Sequence, residues 1–258
     1  MTSQESYGLA CMEIWGGNRQ AAREVLLPGL AGWIYSEPLP GSLAGGDVYY
    51  LSLCSHGELT RVSLADISGH GETVSRAAQC LRGLMQKHIN TFDQTEFARE
   101  LNQSFQEECV CRGFATVVLL GVYGKNGELV FTNAGQPPPL WYHAAKKRWS
   151  FLEQTRPRAE TEIADLPLGV IPGTDYHEVR VQLQPGDLVL LYSDALSEAR
   201  NPKGKLLTPE GLRELAGRLP VDSPAAAGQA LLEAVGQFRA GRPAGDDQTV
   251  VALQRRAG

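Results

Sequence analysis

Short apolar runs, separated by turns rich in glycine, proline and asparagine, recur along most of the chain. Segments 48–53 and 59–65 flank a Ser-His-Gly-Glu turn, a combination that predicts a β-hairpin. The same pattern of apolar runs and turns predicts further strands at segments 31–36, 114–122, 128–132, 140–142, 149–152, 176–183, 188–192 and 248–253.

Apolar residues spaced three and four positions apart predict helices between these strands. Segment 72–92 is followed by a second helix that begins near Asp93, and segments 209–219 and 224–238 form another pair. Residues 19–27 are also compatible with a helix, within a lead-in that we assign to residues 1–28. Because strands come in runs and helices in pairs, the pattern predicts an α+β fold of antiparallel sheets covered by helices.

Composition limits the possible functions of this 258-residue chain. A net charge of −5 disfavours sequence-independent binding to nucleic acid or to an anionic membrane. No apolar stretch approaches the ~20 residues that span a bilayer, and the N-terminus lacks the order of a signal peptide. Five irregularly spaced cysteines do not suggest a disulfide framework, so we expect thiols in a reducing cytoplasm. The length allows one large domain or two small ones.

Four aspartates, Asp47, Asp66, Asp194 and Asp246, stand next to predicted strands. The hairpin places Asp47 and Asp66 at neighbouring strand ends. Taken singly, each aspartate could be a turn or cap residue, as Asp187 in Pro-Gly-Asp is expected to be. Together they would repel one another unless a cation lay among them, and oxygen ligands select hard ions such as magnesium, manganese or calcium. Two such ions would bind a phosphate oxygen and activate water.

The order of the motifs carries a family resemblance over about residues 26–253. The motifs are Gly45-Gly46-Asp47, Asp66-Ile67-Ser68-Gly69-His70-Gly71, Asn133-Ala134-Gly135-Gln136-Pro137-Pro138, Leu191-Tyr192-Ser193-Asp194 and Asp246-Asp247-Gln248-Thr249. In this order they resemble the SpoIIE-like (RsbU-type) phosphatases, the bacterial branch of the PPM (PP2C-type) serine/threonine phosphatases. The resemblance implies an αββα sandwich over residues 29–258, with two antiparallel sheets flanked by helix pairs and the metals at one end.

Residue roles follow from the same resemblance. It implies two ions, Mn²⁺ or Mg²⁺, bridged by Asp66, with the backbone carbonyl of Ile67 on one of them. Asp47 would help to hold the second ion, and Asp194 and Asp246 the first, so that Asp66 and Asp47 are the catalytic pair. Asp247 matches a variable position and ranks below them.

The chain departs from the family pattern at three positions near these motifs. Tyr50 stands where an acidic residue often follows the Gly-Gly-Asp strand. Ala195 follows Ser-Asp where glycine is usual, which would cost about 1 kcal/mol if the position needs a positive φ. Gln136 stands where histidine is common. The histidine that serves eukaryotic relatives as a candidate acid has no counterpart, since Ser68 occupies its place and His70 lies two residues further on.

The resemblance implies a metal-dependent phosphatase acting on phosphoserine or phosphothreonine, with an anti-sigma-factor antagonist (STAS) protein as its substrate in a partner-switching pathway. An activating protein partner would bind at residues 1–28 or on the helical hairpin 72–109. Two alternatives stay open. The first is a catalytically weak or inactive family member that binds a signalling partner, and the second is a phosphatase of small phosphorylated molecules.

Overall fold

The protein forms two stacked six-stranded antiparallel sheets with helices on both outer faces, as seen in a computed structural model. The structure describes residues 13–17, 19–39, 45–54, 57–69, 72–109, 113–153 and 164–257.

Sheet A has the strand order β1-β4-β5-β6-β7-β10. Its strands are β1 (Glu13–Gly16), β4 (Asp47–Cys54), β5 (Leu59–Ile67), β6 (Ala115–Tyr123), β7 (Glu128–Ala134) and β10 (Val179–Gln182). Sheet B has the order β2-β3-β12-β11-β8-β9. Its strands are β2 (Ala21–Leu27), β3 (Leu30–Glu37), β8 (Leu140–His143), β9 (Arg148–Phe151), β11 (Leu188–Tyr192) and β12 (Gln248–Arg255).

Two groups of helices cover the outer faces. The helices are α1 (Glu72–Lys87) and α2 (Gln94–Glu108) on sheet A, and α3 (Asp194–Ser197), α4 (Thr208–Ala216) and α5 (Pro224–Arg239) on sheet B. The side chain of Asp93 caps α2 by accepting a hydrogen bond from the Glu96 N–H at 2.8 Å. Ser223 caps α5 in the same way, since its hydroxyl accepts from the Ala226 N–H at 3.1 Å. Such caps satisfy amide groups that have no partner within the helix.

Three apolar clusters separate the four layers. The central cluster fills the space between the sheets with side chains such as Leu51, Val62 and Leu191. The outer clusters pack α1 and α2 on sheet A, and α4 and α5 on sheet B. Strands β5, β6, β11 and β12 are therefore covered on both faces, which explains their nearly unbroken apolar sequence.

Most predicted strands and all four long helices are confirmed within a few residues at their ends. The helix predicted for residues 19–27 is wrong, because Ala21–Leu27 forms an edge strand that pairs with β3. Here the backbone pairing with β3 outweighs the helix propensity of Ala21, Arg23 and Glu24. Residues 13–16 of the lead-in also form a strand, paired with β4. The strand predicted for 176–183 is shorter, spanning Val179–Gln182.

The expectation of unpaired cysteines is wrong for two of the five. Cys80 of α1 and Cys109, directly after α2, are joined by a disulfide. The bond links the two helices that cover sheet A. Because these two cysteines are paired, the cysteines no longer indicate a reducing compartment. Cys11 and Cys111 lie outside the described residues.

Candidate metal centre

Two of the candidate aspartates face each other across neighbouring strands of sheet A. Asp47 begins β4, Asp66 stands one residue before the end of β5, and the register pairs them directly. The sequence prediction of neighbouring strand ends is confirmed. Directly opposed residues of antiparallel strands have Cβ atoms only about 5 Å apart, so the two carboxylates start from adjoining backbone positions.

Gly46 leaves open a space beside two further oxygens. A Cβ atom at this position would lie 3.0 Å from Asp66 Oδ1 and 3.0 Å from the carbonyl oxygen of Ile67. The Ile67 N–H donates to the Gly46 carbonyl at 3.1 Å, which fixes the two segments against each other. A side-chain oxygen and a backbone oxygen therefore lie side by side where only glycine keeps the approach clear.

Asp47 is buried with an uncompensated oxygen. Its residue is 2% exposed, and Asp47 Oδ2 has no hydrogen-bond partner in the described part of the chain. Burial raises the pKa of Asp47 well above its usual range, although the nearby hydroxyls of Thr249 and Ser193 act in the opposite direction. Since buried polar atoms are nearly always paired, this oxygen suits a bound cation.

Sheet B brings the other two aspartates to the same end of the sandwich. Asp194 is the first residue of α3 after β11, Asp246 comes shortly before β12, and these two strands are neighbours. Burial, then the charges of Glu198 and Asp246, raises the pKa of Asp194. Burial, then the charges of Asp194, Asp246 and Asp247, raises the pKa of Asp66 to about 6. Asp47 and Asp66 on strands of sheet A, and Asp194 and Asp246 beside strands of sheet B, therefore interact electrostatically.

Both carboxylate oxygens of Asp247 accept hydrogen bonds from backbone amides, so neither is free to face the other aspartates. Its Oδ1 accepts a hydrogen bond from the Leu39 N–H at 2.6 Å, and its Oδ2 accepts from the Gly46 N–H at 2.5 Å. Both oxygens are thus engaged by the backbone around the segment that leads to Asp47. Asp246, whose Oδ1 accepts only the Asp247 N–H at 2.9 Å among the described donors, keeps its other oxygen available. The two adjacent aspartates therefore differ in their hydrogen bonding, and the ranking of Asp246 above Asp247 as a metal ligand stays a prediction.

The donor set consists of oxygen atoms, which suits magnesium or manganese rather than a soft metal. The orphaned Asp47 oxygen and the space beside Gly46 also fit a cation. Among the residues that the structure describes, no three or more His, Cys, Asp or Glu side chains lie close enough together to hold a metal ion. The same residues include no helix that is long and apolar enough to cross a membrane.

Glu198 was not among the residues predicted from the sequence. It is an exposed carboxylate that lines a cleft of about 580 Å³ together with Asp194 and Asp246. Glu198 follows Asp194 by four positions, the spacing that places two residues on the same side of a helical turn. That spacing was the available signal, but it requires knowing that α3 begins at Asp194.

Residues 56–256, more than half of the chain, match the family described as Stage II sporulation protein E (SpoIIE). The chain belongs to the SpoIIE family. It is 22% identical to the phosphoserine phosphatase RsbU of Bacillus subtilis (strain 168) over 173 residues, which are 67% of this chain and 48% of RsbU. It therefore spans about half the length of that relative.

Solved structures of PP2C phosphatases share the fold. The PP2C phosphatase domain of SpoIIE from Bacillus subtilis, solved with a fragment of its regulatory domain, has a TM-score of 0.73 at 20% identity, covering 93% of this chain and 66% of that one. The catalytic domain of the serine/threonine protein phosphatase PstP, in complex with two manganese ions, has a TM-score of 0.59 at 16% identity, covering 88% and 99%. The predicted PP2C-like αββα sandwich is confirmed.

Two of the three departures from the SpoIIE pattern, Ala195 and Gln136, have local explanations. Ala195 lies inside α3 and is not among the non-glycine residues with positive φ, so alanine is unstrained there. Gln136 donates from Nε2 to Thr116 Oγ1 at 3.0 Å, and Thr116 is the β6 register partner of Asp66. Gln136 thus supports the strand beside Asp66. His70 lies outside the described residues.

Proposed function

We propose that this protein is a metal-dependent protein phosphatase that hydrolyses phosphoserine or phosphothreonine monoesters. The observation that carries the proposal is the set of four aspartates at one end of the sandwich, two on strands of sheet A and two beside strands of sheet B. One of them, Asp47, has a buried oxygen without a partner among the described residues. Membership of the SpoIIE family and the phosphoserine phosphatase RsbU among its relatives support the same activity.

The proposed ligands are oxygens already described. Asp47, Asp66, Asp194, Asp246 and the backbone carbonyl of Ile67 would hold two divalent ions, Mn²⁺ or Mg²⁺. When bound, such ions supply a nucleophile from water at neutral pH and bind phosphate oxygens. The chain's own part is to hold these carboxylates in place, and Asp247 does so for the segment that leads into β4. No nucleophilic side chain is required.

The proposed substrate is a phosphorylated STAS-type antagonist of an anti-sigma factor, and an activating protein partner controls the reaction. Support comes from the family and from RsbU; two-metal hydrolysis itself does not depend on what carries the phosphate. A panel of phosphoserine peptides, a phosphorylated STAS protein and small metabolite phosphates tests the assignment. Faster turnover of the metabolites than of every phosphoprotein would redirect the proposal to a small-molecule phosphatase.

The decisive experiment measures hydrolysis of an aryl phosphate with and without manganese, with Asp194→Asn beside the wild type. Asp187→Asn is the matched control, because Asp187 is also a buried aspartate but accepts hydrogen bonds from the turn around it and from Trp141. We expect manganese-dependent turnover that Asp194→Asn abolishes and Asp187→Asn retains. A folded wild type that binds a signalling partner without any turnover would favour the non-catalytic alternative.

A further inference from the structure

The cleft beside the aspartates has basic as well as acidic walls. It lies between the turn that follows α3 and the connection from α5 to β12, and its volume is about 580 Å³. Asp194 and Asp246 line it, and so do Arg200 and Arg242. Two arginines therefore lie beside two of the proposed metal ligands, in a chain whose net charge is −5.

Arg200 and Arg242 keep most of their hydrogen-bonding capacity. Arg200 Nη1 donates to the Gly204 carbonyl at 3.1 Å, and Arg242 Nη2 donates to the Pro202 carbonyl at 3.1 Å. Both residues are exposed, and within the described chain neither forms an ion pair. A guanidinium carries five N–H donors in a fixed planar arrangement, so each side chain has several donors available for an anion.

The backbone that carries Arg200 is held in a tight loop. Asn201 Oδ1 accepts hydrogen bonds from the Lys203 and Lys205 N–H groups, each at 3.0 Å, and the Asn201 N–H donates to the Lys205 carbonyl at 3.0 Å. Gly204 completes the turn with a φ of +81°. A loop fixed in this way loses little conformational entropy when an anion binds.

Arg239 also lines the cleft, and it binds the start of α3. It is 7% exposed, and it donates from Nη1 to Gln248 Oε1 at 2.7 Å and from Nη2 to the Ala195 carbonyl at 2.9 Å. These bonds join the end of α5 to α3 and to the start of β12. Arg239 therefore positions the segments that carry Asp194 and Asp246, while its own donors face the protein.

We infer that Arg200 and Arg242 bind the phosphate group of the substrate in this cleft. The inference rests on the proposed function and names the residues that receive the phosphate. A phosphomonoester dianion is the ligand that would need both divalent cations on carboxylates and arginine donors, since guanidinium groups match phosphate oxygens in pairs. The cleft volume falls within the roughly 300–1,000 Å³ typical of small-ligand sites, which accommodates a phosphoserine side chain.

The test compares Arg200→Gln, Arg242→Gln and the double variant with Lys203→Gln. Lys203 lies on the same loop and loses the same charge, but the described wall of the cleft does not include it. With manganese and an aryl phosphate, each arginine variant should raise KM about tenfold or more, because charge-assisted bonds to phosphate are lost. Lys203→Gln should stay within about twofold of the wild type. Arg200→Lys and Arg242→Lys should recover part of the lost affinity for the aryl phosphate. The melting temperature of each variant should show that it is folded.

A second readout, calorimetric binding of inorganic phosphate in the presence of manganese, does not need turnover. If the wild type binds phosphate without turnover and the arginine variants lose that binding, the proposed function fails and the arginine assignment stands. If turnover depends on manganese and Asp194 while the arginine variants match Lys203→Gln in KM and phosphate affinity, the arginine assignment is wrong and the function stands. The arginine assignment is also wrong if the arginine variants raise KM for phosphopeptides alone. It is equally wrong if the wild type neither hydrolyses the aryl phosphate nor binds phosphate.

Discussion

Replacement of Asp66 by asparagine should abolish turnover and yet stabilise the metal-free protein. The pKa of Asp66 rises from its usual 3.8 to about 6, because burial and three neighbouring aspartates disfavour its charge. Since one pKa unit corresponds to about 1.4 kcal/mol, the ionised carboxylate costs the metal-free fold about 2–3 kcal/mol at neutral pH, after allowance for solvent screening. Asparagine keeps the shape without the charge, so Asp66→Asn should gain most of that amount.

The sign of the pH dependence makes the prediction specific. The folded protein binds the Asp66 proton more tightly than the unfolded chain does, so the destabilisation is largest above the folded pKa of about 6. As the pH falls from 6 towards 3.8, Asp66 of the wild type becomes protonated and this destabilisation disappears. The advantage of Asp66→Asn should therefore be full at pH 7.5 and about half as large at pH 5.

The assay is urea unfolding of wild type and Asp66→Asn in EDTA at both pH values, repeated at pH 7.5 with manganese. Manganese should reverse the order, since a bound ion stabilises only the protein that holds it. Asp187→Asn is the control, and it should be destabilised by about 1–3 kcal/mol because Asp187 accepts hydrogen bonds from buried donors. If Asp66→Asn in EDTA is no more stable than wild type at pH 7.5, the reasoning from charge repulsion is wrong.

Three further predictions concern the surroundings of the site. Asp247→Ala removes both backbone contacts of its carboxylate and should lower the free energy of unfolding by about 2–3 kcal/mol in urea titrations; an unchanged value would contradict the clamp role. Gly46→Ala places a methyl group 3.0 Å from two proposed metal ligands and should weaken manganese binding about tenfold or more by calorimetry, whereas unaltered affinity would place the ions elsewhere. Ala195→Gly should leave turnover within about twofold and lower stability by up to about 1 kcal/mol; faster turnover would show that alanine is strained there.

The sequence predicted what depends on short segments of chain. Buried strands are apolar and bounded by turn residues, so β4, β5 and β11 were recognisable, and the single turn between β4 and β5 was enough to pair Asp47 with Asp66. The order of the family motifs then indicated that the two pairs of aspartates belong to one site, which hydrophobic periodicity alone could not indicate. The edge strand β2 was mistaken for a helix because its residues favour helices and its partner strand determines its conformation.

What could not be predicted depends on contacts between distant segments. The carboxylate of Asp247 meets backbone amides about 200 positions earlier, so no local pattern distinguishes it from Asp246. Cys80 and Cys109 come together only because α1 and α2 pack as a hairpin. The cleft arginines lie on two loops that are about 40 positions apart in the sequence and meet where Arg242 donates to the Pro202 carbonyl.

The position of β12 has a consequence for the order in which the protein can assemble. This strand follows every other strand in the sequence, yet it lies in the middle of sheet B, between β3 and β11. Until it inserts, the two halves of that sheet have no hydrogen-bonded connection, and Asp194 has no neighbouring strand to bring Asp246 beside it. Chains fold as they emerge from the ribosome, N-terminal segments first. The edges of β3 and β11 should therefore stay exposed until β12 is synthesised. The proposed activity should therefore arise late in synthesis, and a nascent chain that stops short of β12 should lack it and be prone to aggregation.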